Sequence, residues 1–437
     1  NNKAERRTRA FLKQLMMMMR NKVLLNGGSL DETEIVWFYP SSMPTFRRKQ
    51  LETAWTVFYE RYFGNHRKLY KLSESFAPFY YYYHKEGVKP HDRPAVNIDI
   101  GGGTTDIVIY KSETPILLSS FRFAENSIFG DGYGYTSNDN GFVQKYEPII
   151  KNSLSNTSAK NLLSIYDSIK QKTNNSIELC EFFFSIEENK IIKDNRITLS
   201  FSKLLSEDND LKLVFVFFYS AIIYHVANLM KTKNLPIPQF ITFSGNGSKL
   251  IKIASGGKDL STLKDFTKVI FNDVYGSQEN ISMEFRMFDN PKEITCKGGL
   301  ECKDYSKFEA LEKEILNVLI GIDKTSTIPS AELKYNQIEN ENIKNQVKAE
   351  VFSFIDTFFG YNSKFNFFEN FGINPKNLEK YKLLLKENVA NDLVSGIKEK
   401  ISEANDNVEI NIEETLFFYP LKGCINKLAN QIHNDNK

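Results

Sequence analysis

The chain has 437 residues, of which 41% are apolar and 25% charged, and a formal net charge of +2. That length supports two to four domains with sizeable cores. The composition excludes a disordered or fibrous chain, and the near-neutral charge leaves no global electrostatic case for binding nucleic acid. Four cysteines (Cys180, Cys296, Cys302 and Cys424) without CxxC spacing, and five scattered histidines, give no zinc pattern; they read as free thiols in a reducing cytoplasm.

Residues 4–24 read as a helix whose methionines 16–19 face a core. No apolar run approaches the roughly 18 residues needed to cross a bilayer, so no membrane span is expected. Residues 34–39 form a buried strand ending at Pro40. Residues 44–63 form a charged, aromatic helix with Arg47, Arg48 and Lys49 in its first turns. An apolar stretch, 71–83, contains Glu74 and the tyrosines 80–83, which read as a packing surface.

After a polar loop comes Ala95-Val96-Asn97-Ile98, then Asp99-Ile100-Gly101-Gly102-Gly103-Thr104-Thr105-Asp106, then Ile107-Val108-Ile109-Tyr110. The pattern is strand, glycine turn, strand. Three consecutive glycines leave backbone N–H groups free to face an anion, with no Cβ to hold phosphate oxygens away. A carboxylate at the end of a buried strand beside such a nest suits a hydrated magnesium ion and an attacking water. No Gly-Lys-Ser/Thr follows, so this is not a Walker A loop. The turn leads into a strand and not a helix, so it is not a dinucleotide fingerprint either.

Residues 115–123 read as a further strand, followed by a glycine turn containing Gly130, Asp131 (a turn aspartate) and Gly132. Residues 142–172 read as helical. The polar stretch 173–205 shows short strand-like pieces and is a candidate inserted subdomain. A long apolar helix lies within 206–232. A strand at 240–243 runs into Gly245-Asn246-Gly247-Ser248, which opens a helix. A strand at 281–288 and a short helix at 291–302 follow, and from 303 to 437 helical periodicity prevails. No repeat of solenoid period is present.

The octet from Asp99 to Asp106 resembles the second phosphate loop of the actin, heat-shock chaperone and sugar-kinase ATPase superfamily. The order of motifs resembles the later part of a DnaK-type nucleotide-binding domain. The segment 73–78, with Glu74, is similar to that family's Asn-Glu-Pro-Thr-Ala-Ala segment. Residues 244–248 resemble its adenosine motif, with Asn246 in place of a glycine, and the stretch from Asn290-Pro291 to Gly298-Gly299 resembles its closing helix. The resemblance covers residues 10 to 302. It implies a two-lobed α/β fold with ribonuclease-H-like lobes: 1–94 as the remainder of an incomplete first lobe, 95–302 as the second lobe, and 303–437 as a helical C-terminal domain. No Asp-x-Gly-Thr turn precedes residue 34, so either the chain is a fragment or the first lobe is reduced. The C-terminal part does not read as the chaperone's β-sandwich, so peptide chaperoning is not implied.

On this reading Gly101, Gly102 and Gly103 donate to the phosphates of ATP or ADP, with the Thr104 hydroxyl beside them and Thr105 as a weaker candidate. Asp99 holds magnesium through water or orients the attacking water, and Glu74 is a second polarising carboxylate. Asp106 braces the loop or binds an ion. Gly245, Asn246, Gly247 and Ser248 sit against ribose and adenine, and Gly130 and Gly132 line the phosphate side of the cleft. The expected function is an ATP-dependent switch in the cytoplasm with slow hydrolysis, acting on a protein partner through the helical C-terminal region. The alternative is a pseudo-ATPase scaffold or actin-like filament protein. A sugar or metabolite kinase is disfavoured, because no acceptor-binding aspartate loop stands out.

Overall fold

The computed structural model describes the chain apart from residues 1, 42, 44, 65–67, 156, 174, 258, 279–281, 303–304, 306–332, 405–408, 410 and 413. It is a mixed α/β structure. In chain order the elements are α1 (Asn2–Leu25), β1 (Ile35–Tyr39), α2 (Thr45–Phe63), β2 (Leu69–Ser73), α3 (Ala77–Lys85), β3 (Ala95–Ile100), β4 (Thr105–Lys111), β5 (Thr114–Phe121), α4 (Glu125–Phe129), α5 (Gly141–Ser155), α6 (Asn161–Lys172), α7 (Ser176–Glu188), α8 (Lys190–Asp194), α9 (Phe201–Glu207), α10 (Lys212–Thr232), β6 (Phe240–Ser244), α11 (Lys249–Ala254), α12 (Ser261–Tyr275), β7 (Glu284–Met287), α13 (Glu293–Glu301), α14 (Glu341–Phe365), α15 (Phe367–Phe371), α16 (Leu378–Ala404) and α17 (Phe418–Asp435).

The N-terminal part is a parallel β1–β2 pair, in register from Ile35 opposite Leu69 to Tyr39 opposite Ser73. One face packs on α1 and α2 through Leu12, Met16, Trp37, Tyr39, Trp55 and Tyr59, with Trp37 stacked on Trp55 at 5.6 Å. Only part of the methionine run is core. Met16 is fully buried, whereas Met17 and Met18 are 44% and 69% exposed, because a helix cannot turn four consecutive residues to one side. The other face meets α3 and α13. A Cβ on Gly298 would lie 1.8 Å from the Ala77 carbonyl oxygen, so Gly298 lets α13 approach α3 at backbone distance; one on Gly299 would lie 2.5 Å from the Phe38 ring, so Gly299 makes room for that side chain.

The central sheet has the order β5-β4-β3-β6-β7. β3 is antiparallel to β4, and β4 to β5, while β3, β6 and β7 run parallel. Both faces are covered, which is why its strands read as nearly continuous apolar runs. Val96, Ile98, Ile107 and Ile109 face the large helical layer. Ala95, Val108, Tyr110 and Phe240 face α3 and α13 through Phe76, Phe79, Tyr80 and Tyr82. The tyrosine run thus packs between elements, and Tyr82 ties them together. Its hydroxyl donates to the Phe243 carbonyl at 2.6 Å and accepts from the Phe288 amide at 3.2 Å.

Residues 173–205 carry no strand among the described residues and form α7, α8 and α9 instead. Asn175, Asn189 and Ser200 accept from the amides at the starts of these helices. Capping residues every eleven to fourteen positions cut the helical pattern into pieces short enough to read as strands. Asp131 takes the Ser176 amide at 3.0 Å, so this turn aspartate also serves the start of α7.

Helix α10, 21 residues long, is long and apolar enough to cross a membrane by composition. Here it is the buried axis of the core. The helices beyond residue 332 wrap it, with Phe354 and Phe358 against Phe217 at 5.4 and 5.0 Å. They share one contiguous apolar cluster with the sheet, so the expected boundary at 302/303 does not mark a separate core. Of residues 303–332, only Tyr305 is among the described residues. All four cysteines are free thiols, and Cys296 is exposed.

Candidate functional site

The glycine turn closes on itself through the Gly101 amide, which donates to the Thr104 carbonyl at 2.9 Å. Behind it, the Gly101 and Gly102 carbonyls accept from the amides of Glu125 and Asn126, at 3.3 and 2.7 Å. In front, Gly102 and Gly103 are exposed, and among the described residues their amides donate to no other group. None of the three glycines has a left-handed φ. A Cβ on Gly103 would meet nothing within 4 Å, and one on Gly102 only the Asn126 side chain at 3.7 Å. Neither backbone conformation nor packing requires glycine at these two positions.

Below the turn a polar row crosses the sheet. Ser120, Asp106, Asp99 and Ser244 are register partners on β5, β4, β3 and β6. Asp99 accepts from the Ser244 hydroxyl at 2.7 Å. Ser244 in turn accepts from Asn97, which accepts from Thr242 at 2.8 Å. Asp106 accepts from Ser75 at 2.7 Å, and Ser75 is bonded to Ser41 at 2.6 Å. The other Asp106 oxygen is buried without a partner among the described residues. Two carboxylates directly opposite on an antiparallel pair repel each other. Burial, opposed by the Ser244 hydrogen bond and reinforced by the charges of Asp106 and Glu74, lifts Asp99 to about 7. Burial also lifts Asp106, against the pull of the Ser120 and Ser75 hydroxyls.

Glu74 reaches this row from the N-terminal part. Its amide is bonded to the Tyr39 carbonyl at 3.0 Å, which carries the chain from the end of β2 toward β4. Burial and then the Asp106 charge lift it to about 7. Glu74, Asp99 and Asp106 thus form one electrostatic unit contributed by two parts of the fold. Among the described residues no three acidic, His or Cys groups stand at direct metal-ligating distance.

Gly245 and Gly247 follow β6, the parallel neighbour of β3, so their loop and the glycine turn share one edge of the sheet. Both are glycine for structural reasons. Gly245 has φ +77°, and a Cβ there would lie 2.3 Å from the Ile100 carbonyl oxygen and 2.4 Å from an Asp99 oxygen. A Cβ on Gly247 would lie 2.6 Å from the Gly101 carbonyl oxygen. They seat this loop against the glycine turn. Ser248 is buried and its hydroxyl donates to the Ser244 and Gly245 carbonyls. Asn246 and Lys249 are the exposed members of the segment.

Three further expected residues lie elsewhere. Thr105 is buried and its hydroxyl donates to the Phe123 carbonyl at 2.7 Å, because its side chain falls on the helical face of β4. Gly130 and Gly132 lie beyond the far end of α4, where Gly132, at φ +58°, packs against Asn426 of α17. Thr104 does stand at the turn, half-buried, with its hydroxyl near Gly101. Sequence reasoning gave no role to Ser41, Ser75, Ser244 and Asn126; Ser75 and Ser244 lie inside the segments 73–78 and 244–248, and only tertiary contacts bring the four to the polar row and the turn.

No protein-family model matches the chain, and no curated protein matches it. Among solved structures, one similarity is to the crystal structure of MreB5 of Spiroplasma citri bound to ADP, at 13% identity and a TM-score of 0.28. It covers 70% of this chain and 77% of that one. A superposition that loose assigns neither a family nor a ligand.

Proposed function

We propose that this chain binds a magnesium–nucleoside triphosphate at the turn between β3 and β4, as a two-lobed ATPase of the actin and DnaK-type superfamily. The observation that carries this is the pair Gly102 and Gly103: exposed, with free amides, and glycine where the fold demands none. Absence of a side chain at such positions has a reason when a ligand must reach the backbone. The strand order β5-β4-β3-β6-β7, with β4 antiparallel, supports a ribonuclease-H-like second lobe. Its ligand edge lies at the carboxyl ends of the parallel strands.

In this reading the Gly102 and Gly103 amides and the Thr104 hydroxyl hold phosphate oxygens. Bound magnesium would supply charge neutralisation, with Asp99 and Glu74 contacting its water shell. Asp99, at the end of β3 beside the turn, orients the attacking water. Glu74 keeps the water's other face polarised. The nucleotide-dependent approach of the two lobes makes the protein a switch.

Calorimetric titration of the chain with Mg-ATP, alongside a phosphate-release assay, tests the proposal. Wild type should bind and turn over slowly. Asp99→Ala should still bind and lose turnover by about 100-fold, the contribution of a positioned base. Absence of binding by both proteins overturns the proposal. Binding with no turnover in wild type would favour the pseudo-ATPase alternative.

A further inference from the structure

The glycine turn is braced from behind by a helix too short to hold itself. α4 has five residues. Helices of that length are unstable alone in water, and their first amides and last carbonyls need partners from outside. The first amides, on Glu125 and Asn126, find the Gly101 and Gly102 carbonyls. At the other end the Asn426 side-chain amide, 4% exposed on α17, donates to the carbonyls of Ser127, Ile128 and Gly130 at 3.2, 3.0 and 2.7 Å. Asn140 adds bonds to Phe129 and Gly130 at 3.1 and 2.9 Å.

Asn426 comes from nearly 300 residues further along the chain. Its approach depends on Gly132, where a Cβ would lie 2.6 Å from the Asn426 oxygen. The same C-terminal segment grips the strand that feeds α4. Phe418 stacks on Phe121 at 4.0 Å and on Phe123 at 5.0 Å, and Glu414 accepts from the Arg122 amide at 3.1 Å. Residues 121–130 are thus held by the C-terminal segment at Phe121, Arg122, Phe123, Ser127, Ile128 and Gly130, and by the glycine turn at Glu125 and Asn126.

We infer that Asn426 is a positioning residue for the glycine turn, acting through α4, so that the C-terminal helices and a ligand at the turn stabilise each other's placement. Coupling of this kind is reciprocal. Tightening the turn draws α4 and α17 into place, and anything that shifts α17 loosens the turn. The ligand half of the statement rests on the nucleotide reading above; the structural half does not.

Amide hydrogen exchange on the ligand-free chain tests the structural half. Asn426→Ala should speed exchange about tenfold at Glu125, Asn126 and, across α4, Gly101, the factor expected when buried carbonyls lose their donor. Asn426→Asp keeps the volume and loses the donor, and should do the same. The α10 amides should not change in either variant. A rise at Gly101 no larger than that in α10, or wild-type exchange in Asn426→Asp, overturns the inference. With Mg-ATP, both variants should bind about tenfold more weakly, with turnover at saturation unchanged. If wild type binds no nucleotide, the nucleotide reading fails while the exchange comparison still decides the role of Asn426.

Discussion

Asp99→Asn removes the charge at the centre of the polar row while keeping an acceptor for Ser244 at nearly the same volume. Asp99 is raised from 3.8 to about 7. At 1.36 kcal/mol per tenfold change in proton affinity, holding it ionised in the ligand-free fold costs about 4 kcal/mol. Water reaches part of the residue and screens the repulsion, so about half of that, roughly 2 kcal/mol, is the expected gain on neutralisation. The sign follows from linkage. The folded protein holds its proton more tightly than the unfolded chain, so wild type loses stability as pH rises from about 4 to about 7 and levels off above that. The variant does not titrate at this position. Asp99→Asn should therefore be more stable than wild type by about 2 kcal/mol at pH 8, with the advantage shrinking to about a quarter at pH 4.5. Urea midpoints and calorimetric melting of ligand-free protein at the two pH values measure it. An advantage that is absent at pH 8, or that does not shrink toward pH 4.5, would refute the assignment of the row as a site of stored repulsion.

Other substitutions separate packing from ligand access. Gly245→Ala should cost about 2–4 kcal/mol, since a left-handed backbone and two contacts near 2.4 Å leave the new methyl no room; thermal melting reads this directly. Gly103→Ala should leave melting within about 0.5 kcal/mol of wild type, because open space surrounds the site, yet weaken Mg-ATP binding in calorimetry. Turnover in the wild type should rise with pH toward a plateau above about 7, as Asp99 and Glu74 ionise; a profile flat between pH 5 and 8 would remove both from the chemistry. Glu414→Ala strands Lys400, its partner at 2.5 Å in a mostly buried pair, and should cost about 3 kcal/mol by urea denaturation.

The strand–glycine–strand element, the strand at 240–243, helix α10 and the helical character beyond residue 332 were legible because each rests on local periodicity and on glycine's conformational properties. The stretch 173–205 was misread, since Asn and Ser caps interrupted its helical period. Within the motifs, residue type alone could not distinguish a glycine kept for access from one kept for packing. Gly103 looks out on open space and Gly102 only on the Asn126 side chain, whereas Gly245, Gly247 and Gly298 face backbone atoms within 3 Å. Thr105 reads as a weaker ligand candidate beside Thr104, and Ser248 as a small residue against the nucleoside; both hydroxyls are bonded to neighbouring carbonyls.

By itself, then, the sequence determined that a glycine turn lies between two buried strands with carboxylates at both ends, because strand period, chain reversal and charge are properties of adjacent residues. Only the tertiary structure decided that Asp99, Asp106 and Glu74 share one electrostatic site, and that α17 reaches the turn through Asn426. Strand register and helix docking set those neighbours, and both depend on residues tens to hundreds of positions apart whose pairing no local pattern encodes.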